Sequence, residues 1–225
     1  LHDGYAQYYG IARDRIITLP NWIDVSLAKR KHLHVDKALV RASHNIPEDK
    51  KVLLFVHRLV SRKGAQLLPG IFEQLRGLRC VLLVAGDGPE RDAIERDFRE
   101  RGLADDVRML GWVPQERIHE LYAIADLYLL PSEEEGFPHV LTEAQSVGLP
   151  YVATDVGGVR EMTPPEGQAM IVPPGAVAQF TNVARKLLED DGTYRKFQSA
   201  ELLWVERYDK KVILERFLGM IRGKS

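Results

Sequence analysis

Cysteine is almost missing from this chain: Cys80 is the one thiol in 225 residues. A lone thiol closes no internal disulfide, and without a second cysteine there is neither a cysteine-based zinc site nor a CxxC redox pair. The simplest setting is a reducing compartment. Charge of one sign is not in excess either, because 31 Lys and Arg face 32 Asp and Glu for a net charge of -1. No global field then draws the chain to nucleic acid or to an anionic membrane, and no nucleic-acid partner is expected. No apolar run approaches the roughly 20 residues that cross a bilayer, and the N-terminus lacks a basic start followed by an apolar stretch. Repeats and low-complexity tracts are missing too, the nearest thing to a charge run being Glu133, Glu134 and Glu135. The first residue is Leu1 instead of Met, from which we expect a segment cut from a longer chain.

What is present is the balance of a globular body, with 45% hydrophobic and 28% charged residues and a length worth about one and a half domains. Residues 1–50 read as a leader: a short helical pattern, a candidate strand at Arg15 to Leu19, the turn Pro20-Asn21 and a Lys/His-rich stretch around Lys29 to His34. We expect a connector there, with no core of its own. From Lys51 onward short apolar runs alternate with helix-length segments. The runs are Val52 to Val56, Cys80 to Ala85, Val107 to Leu110, Leu127 to Leu130, Tyr151 to Ala153 and Ala169 to Val172. Their apolar character is continuous, which suits parallel strands covered on both faces. Helices are expected over Gly64 to Arg76, Pro89 to Arg101, Gln115 to Ala125 and Pro138 to Val147, with Pro69 either kinking the first or marking its true start. This rhythm implies an α/β fold, a Rossmann-like doubly wound parallel sheet of about six strands. The domain would span residues 51–208, ahead of a C-terminal helix over 209–225. From Ala176 the chain should be helical, ending in an apolar stripe of Ile213, Phe217, Met220 and Ile221 that needs a partner surface.

Ligands of such sheets bind beyond the carboxyl ends of the strands, where the winding reverses between the first strand and the fourth. The loop after the first strand, His57 to Gly64, is cationic, and the loop after the fourth, Pro131 to His139, is acidic. Arg58 and Lys63 beside Gly64 would make a phosphate site, the alternative being a solvated basic loop. With Pro138 opening the next helix and Gly148 closing it, the amides of His139 and Val140 would face the crevice as a second anion site. Glu143 lies on the edge of that helix's apolar stripe, so it should have either a cation or a pair of ligand hydroxyls as partner; vicinal ribose hydroxyls would suit its two oxygens. Glu135 precedes Gly136, where backbone can approach a ligand, and could accept from sugar hydroxyls, while Glu133 and Glu134 are expected to be solvated. Phosphate donors and hydroxyl acceptors in one crevice describe the needs of a nucleotide sugar.

Glu135-Gly136-Phe137-Pro138-His139-Val140-Leu141-Thr142-Glu143 resembles the E-x7-E motif of retaining family 4 glycosyltransferases, which have the two-domain GT-B fold. Arg58-Leu59 with Lys63-Gly64, Gly86-Asp87-Gly88-Pro89, Leu110-Gly111-Trp112-Val113, Ala125-Asp126-Leu127, Pro131-Ser132 and Ala153-Thr154-Asp155-Val156-Gly157-Gly158 look like that family's other motifs, in order. The leader's Leu19-Pro20-Asn21-Trp22-Ile23-Asp24 resembles the P-N-G-I-D segment by which such chains leave the acceptor domain, with Trp22 in place of the glycine.

The resemblance implies the C-terminal, donor-binding half of a GT-B enzyme, with an N-terminal acceptor-binding half as partner against which the last helix would partly pack. It further implies that Arg58 and Lys63 hold the diphosphate and stabilise it electrostatically as it leaves. Glu143 would hold the ribose, Glu135 with the Gly136 and Phe137 backbone the transferred sugar, and Trp112 and Val113 the base. His57 stands where the family often has glycine, and Pro138 where many members have a second one. His139 would act at one remove as a donor or simply sit on the surface. No aspartates are spaced D-x-D, so no metal and no cofactor are expected beyond the donor substrate. A cytoplasmic setting follows, with attachment to the inner face of a membrane through the parent protein or through Lys210, Lys211, Arg216 and Arg222 as an alternative. Other readings left open are a sugar-nucleotide epimerase of similar fold and a stand-alone donor-binding subunit. A dinucleotide dehydrogenase fits poorly, because the first loop lacks G-x-G-x-x-G.

Overall fold

In a computed structural model, which describes residues 2–12 and 15–222, six parallel strands form one sheet in the order β3-β2-β1-β4-β5-β6. The strands are β1 (Lys51–Val56), β2 (Cys80–Ala85), β3 (Val107–Gly111), β4 (Leu127–Leu130), β5 (Tyr151–Thr154) and β6 (Ile171–Val172). Residues 52–55 of β1 and all of β2, β4 and β5 are buried, as their continuous Val/Leu character requires of strands covered on both faces. β1 pairs with β2 on one side and β4 on the other, so the winding reverses there, as expected. Asp126 fixes the start of β4: its carboxylate accepts the Val52 N–H at 2.6 Å, while its own N–H donates to the Val52 carbonyl at 2.8 Å.

Helices α1 (His2–Tyr9), α2 (Val25–Leu33) and α3 (Lys37–Ser43) precede the sheet. The crossovers carry α4 (Leu68–Leu75), α5 (Arg91–Glu100), α6 (Gln115–Ile124), α7 (His139–Ser146) and α8 (Val159–Met162), and α9 (Val177–Glu189), α10 (Asp191–Trp204) and α11 (Lys210–Ile221) close the chain. Pro69 lies in the first turn of α4 and so marks the true helix start; residues 61–67 form two short 3₁₀ turns instead of helix. The last expected strand is cut to Ile171–Val172, because Pro165–Met170 winds into 3₁₀ helix with Gly167 pressed on the Phe197 ring.

Two expectations for the leader are corrected. Arg15 to Leu19 forms no strand. Residues 25–46 do more than connect: α2 and α3 pack on α6, and Val25, Val40 and Ile46 are buried. Arg108 draws this region down by donating to the carbonyls of His44 and Asn45, both at 3.0 Å. The Ile23-Asp24 pair is clasped to the chain before α11. Ile23 N–H donates to the Tyr208 carbonyl, Lys210 N–H to the Ile23 carbonyl, and Val25 N–H to the Asp209 carboxylate at 3.2 Å. Within α11 only Ile213 is buried, and Val212, Leu214, Phe217 and Ile221 are exposed. Residues 223–225 of the expected last helix lie outside the described residues. No helix among them is long and apolar enough to cross a membrane.

Candidate functional site

The loops leaving β1 and β4 meet at the point where the winding reverses. Their contact depends on Gly64, at φ 69°: a Cβ there would stand 2.0 Å from the Pro131 carbonyl oxygen, so only glycine lets one loop seat on the other. Once seated, the loops are stitched together. The Glu133 and Glu134 amides donate to the Arg62 carbonyl at 2.9 and 3.1 Å, and Lys63 Nζ donates to the Glu134 carbonyl at 2.9 Å.

Glu135 is the charge at the centre of this seam, its side chain only 5% exposed. Oε2 takes Lys63 Nζ at 2.9 Å, while Oε1 takes Ser132 Oγ at 2.8 Å and faces His57 Nε2 at 3.4 Å. Because His57 Nδ1 accepts the Arg58 N–H at 2.9 Å, the neutral ring carries its proton on Nε2, directed at Glu135. Burial pushes the Glu135 carboxyl up, but the donors from His57, Lys63 and Ser132 outweigh it and hold the group below the ordinary carboxylate range. A carboxylate has about four acceptor positions, so three donors leave one on Oε2. An ammonium has three N–H groups, and two of those on Lys63 are used. Arg58 is exposed, with no partner for its guanidinium among the described residues.

Glu143, eight residues on, has a different environment. Oε2 accepts the Tyr122 hydroxyl at 2.8 Å and Oε1 accepts Gln115 Nε2 at 3.3 Å, and among the described residues no cation pairs with it. Tyr122 is fully buried, and burial followed by the Glu143 charge pushes its hydroxyl well above the usual phenol range, so it stays a proton donor. Glu143 opens on a cavity of 190 Å³ lined also by Leu27, Lys31, Ile118 and Val147. α7 begins at His139 with Pro138 as its cap, one residue later than expected, and among the described residues the His139 and Val140 amides find no acceptor.

Of the remaining candidates, a Cβ on Gly136 would meet open space, and its carbonyl accepts the Gly158 N–H at 2.8 Å. The Phe137 ring packs edge-on against Tyr208 at 5.3 Å and His139 at 6.2 Å, which gives its side chain a packing role. Val140 is half-buried against the core. Trp112 stands beyond β3 with 74% of its surface exposed, beside the half-buried Val113. Among the described residues no three His, Cys, Asp or Glu side chains are grouped to hold a metal ion.

Residues 36–202 match the family described as Glycosyl transferases group 1. The chain belongs to this family. Among its curated relatives are the putative glycosyltransferase EpsF of Bacillus subtilis, 38% identical over 145 residues, 64% of this chain and 37% of that protein. A D-inositol 3-phosphate glycosyltransferase of Mycobacteroides abscessus is 33% identical over 70% of this chain and 36% of its own length. The chain thus spans well under two thirds of these relatives. Among solved structures, HepE of Anabaena in complex with UDP aligns with a TM-score of 0.86 at 21% identity, over 99% of this chain and 61% of that one. Sucrose-phosphate synthase of Thermosynechococcus elongatus aligns with a TM-score of 0.81 at 25% identity, over 98% of this chain and 55% of that one. The fold is the α/β Rossmann-like arrangement of GT-B glycosyltransferases.

Four residues at the site of this group 1 glycosyl transferase chain were not singled out from the sequence as contacts of the two glutamates. Ser132, three residues before Glu135, lay within the Pro131-Ser132 motif, and a hydroxyl at that spacing in a loop is a readable hint. His57 stood out only as a departure from glycine. Gln115 and Tyr122 gave no signal, being 28 and 21 residues from the carboxylate they bind.

Proposed function

We propose that this chain is the donor-binding part of a retaining, family 4 glycosyltransferase. It holds a nucleoside diphosphate sugar whose sugar passes, with its anomeric configuration retained, to an acceptor glycan or lipid. What supports this is the charge carried by the two segments that meet at the switch point. Arg58 and the remaining N–H of Lys63 supply positive charge on the first loop, and Glu143, paired with no cation among the described residues, supplies acceptor oxygens on the helix that follows the second. The unpaired amides of His139 and Val140 at the start of α7 add donors for an anion.

In this reading Glu143 accepts from the two ribose hydroxyls, and the last acceptor position of Glu135, with the Gly136 and Phe137 backbone, receives a hydroxyl of the sugar. Trp112 and Val113 lie along the base. As the bond from the anomeric carbon to the diphosphate oxygen breaks, an acceptor oxygen bonds to the same face of that carbon, and the departing diphosphate takes the acceptor's proton. Arg58 and Lys63 stabilise the charge that develops on the diphosphate; removing one such contact costs about 2–4 kcal/mol of barrier by analogy with oxyanion donors. With that charge met by side chains, the reaction needs neither metal nor cofactor. Acceptor contacts come mostly from sequence outside this chain, which by itself binds the donor and transfers little.

Isothermal titration with UDP, GDP and ADP tests the site. UDP is the first to try, since HepE has been captured with UDP and with UDP-glucose. One nucleotide is expected to bind, and Glu143→Ala to weaken it at least about tenfold, the equivalent of one charge-assisted hydrogen bond. Binding of none, or binding untouched by the substitution, overturns the assignment.

A further inference from the structure

Building on the donor site just proposed, we infer that Tyr122 is a positioning residue that sets the preference for ribose over deoxyribose, by holding Glu143 with one acceptor position of each oxygen turned to the nucleotide. The geometry is specific. Tyr122 Oη donates to Glu143 Oε2 at 2.8 Å and lies 3.4 Å from the Val140 carbonyl. Its ring is stacked on Tyr128, with centroids 5.7 Å apart and planes 12° from parallel. Tyr128 is itself pinned, its hydroxyl donating to the Val56 carbonyl at 3.0 Å where β1 ends. A phenol anchored in this way cannot follow a moving carboxylate, so the carboxylate must come to it.

Glutamate has freedom about three side-chain torsions, and ordering it at the moment of binding would weaken the complex. Tyr122 removes that freedom beforehand. Gln115 Nε2 holds the other oxygen at 3.3 Å, a longer contact from an exposed side chain. With one protein donor on each oxygen, each keeps an acceptor position, which is the pattern that two vicinal hydroxyl donors require. A site built to receive hydroxyls discriminates against a ligand that lacks them, because its acceptors are then left unpaired.

The test is titration calorimetry of the whole chain with UDP, or whichever of UDP, GDP and ADP binds, and with its 2′,3′-dideoxy analogue. Tyr122→Phe keeps the ring and its stacking. It is expected to weaken the ribonucleotide about tenfold and the dideoxy analogue by less than about twofold, the loss of a hydrogen bond to a charged group. Gln115→Ala, at an exposed position, should shift the same ratio by a smaller factor; if Tyr122→Phe does not fold, complete loss of the preference in Gln115→Ala, with Tyr122 still in place, overturns the inference. Equal weakening of both nucleotides, or an unchanged ratio, overturns the role of Tyr122. If Glu143→Ala abolishes the preference while Tyr122→Phe preserves it, the donor site stands and this inference falls. If Glu143→Ala changes neither nucleotide, both fall.

Discussion

Glu135 and Glu201 are both buried carboxyls, yet they are held in opposite charge states. Glu135 has three donors, so its stabilisation is present above the ordinary carboxylate range and is lost as pH falls through its own lower value. Glu201, on α10, has no partner for either oxygen among the described residues, and burial pushes its carboxyl well above the usual range. The native state therefore keeps a proton that the unfolded chain releases near pH ~4.3, and stability falls by about 1.4 kcal/mol per pH unit from there upward until the native group ionises. Glu201→Met is expected to be more stable than the parent at neutral pH, with a gap about 1–3 kcal/mol wider at pH 8 than at pH 5.5. Urea unfolding at the two pH values measures this; a gap that does not widen would show that Glu201 is already ionised in the fold.

At the scale of elements, the site is made by turns that hold loops against one another. Gly64 admits the first loop to the second, and Gly157, where a Cβ would stand 1.9 Å from the Glu135 carbonyl oxygen, admits a third. Gly64→Ala combines a left-handed backbone with a clash against main chain, and is expected to cost at least about 2 kcal/mol in thermal unfolding. Because Lys63 and Glu135 lie on the displaced loops, nucleotide affinity measured by calorimetry should fall with it; unchanged stability and affinity would show that the seam can relax. The motifs read from the sequence divide along these lines. Ala125-Asp126-Leu127 serves the sheet, by way of the reciprocal bonds between Asp126 and Val52, and Gly157-Gly158 shapes the Glu135 loop without offering it a side chain.

For the molecule as a whole, Cys80 offers a probe. It opens β2 almost wholly buried, and burial pushes its thiol up to about 11. Labelling by a disulfide reagent at pH 8 should therefore follow opening of the sheet, and a bound nucleotide at 100 times its Kd should slow it about a hundredfold, the equivalent of ~2.7 kcal/mol. Labelling indifferent to a nucleotide that binds would mean that Cys80 is reached through local motion. Fold class, five of the six strands and the pair of loops at the switch point were legible in the sequence, because they follow from neighbours along the chain: continuous apolar runs of strand length, glycines at left-handed turns, and motifs in order. Glu135 and Glu143 were legible as candidates for the same reason. Their partners were not. Crossovers bring Lys63 to Glu135 and Tyr122 to Glu143, and only packing decides that one carboxylate meets an ammonium and the other a buried phenol. Likewise α2 and α3 looked like a connector because their few apolar residues acquire a core only when α6 lies beneath them. The sequence alone determined the fold class and which ionisable residues stand on the two loops at the switch point; the tertiary structure decided how each charge is held, because hydrogen-bond partners distant in the chain are chosen by the fold and not by spacing.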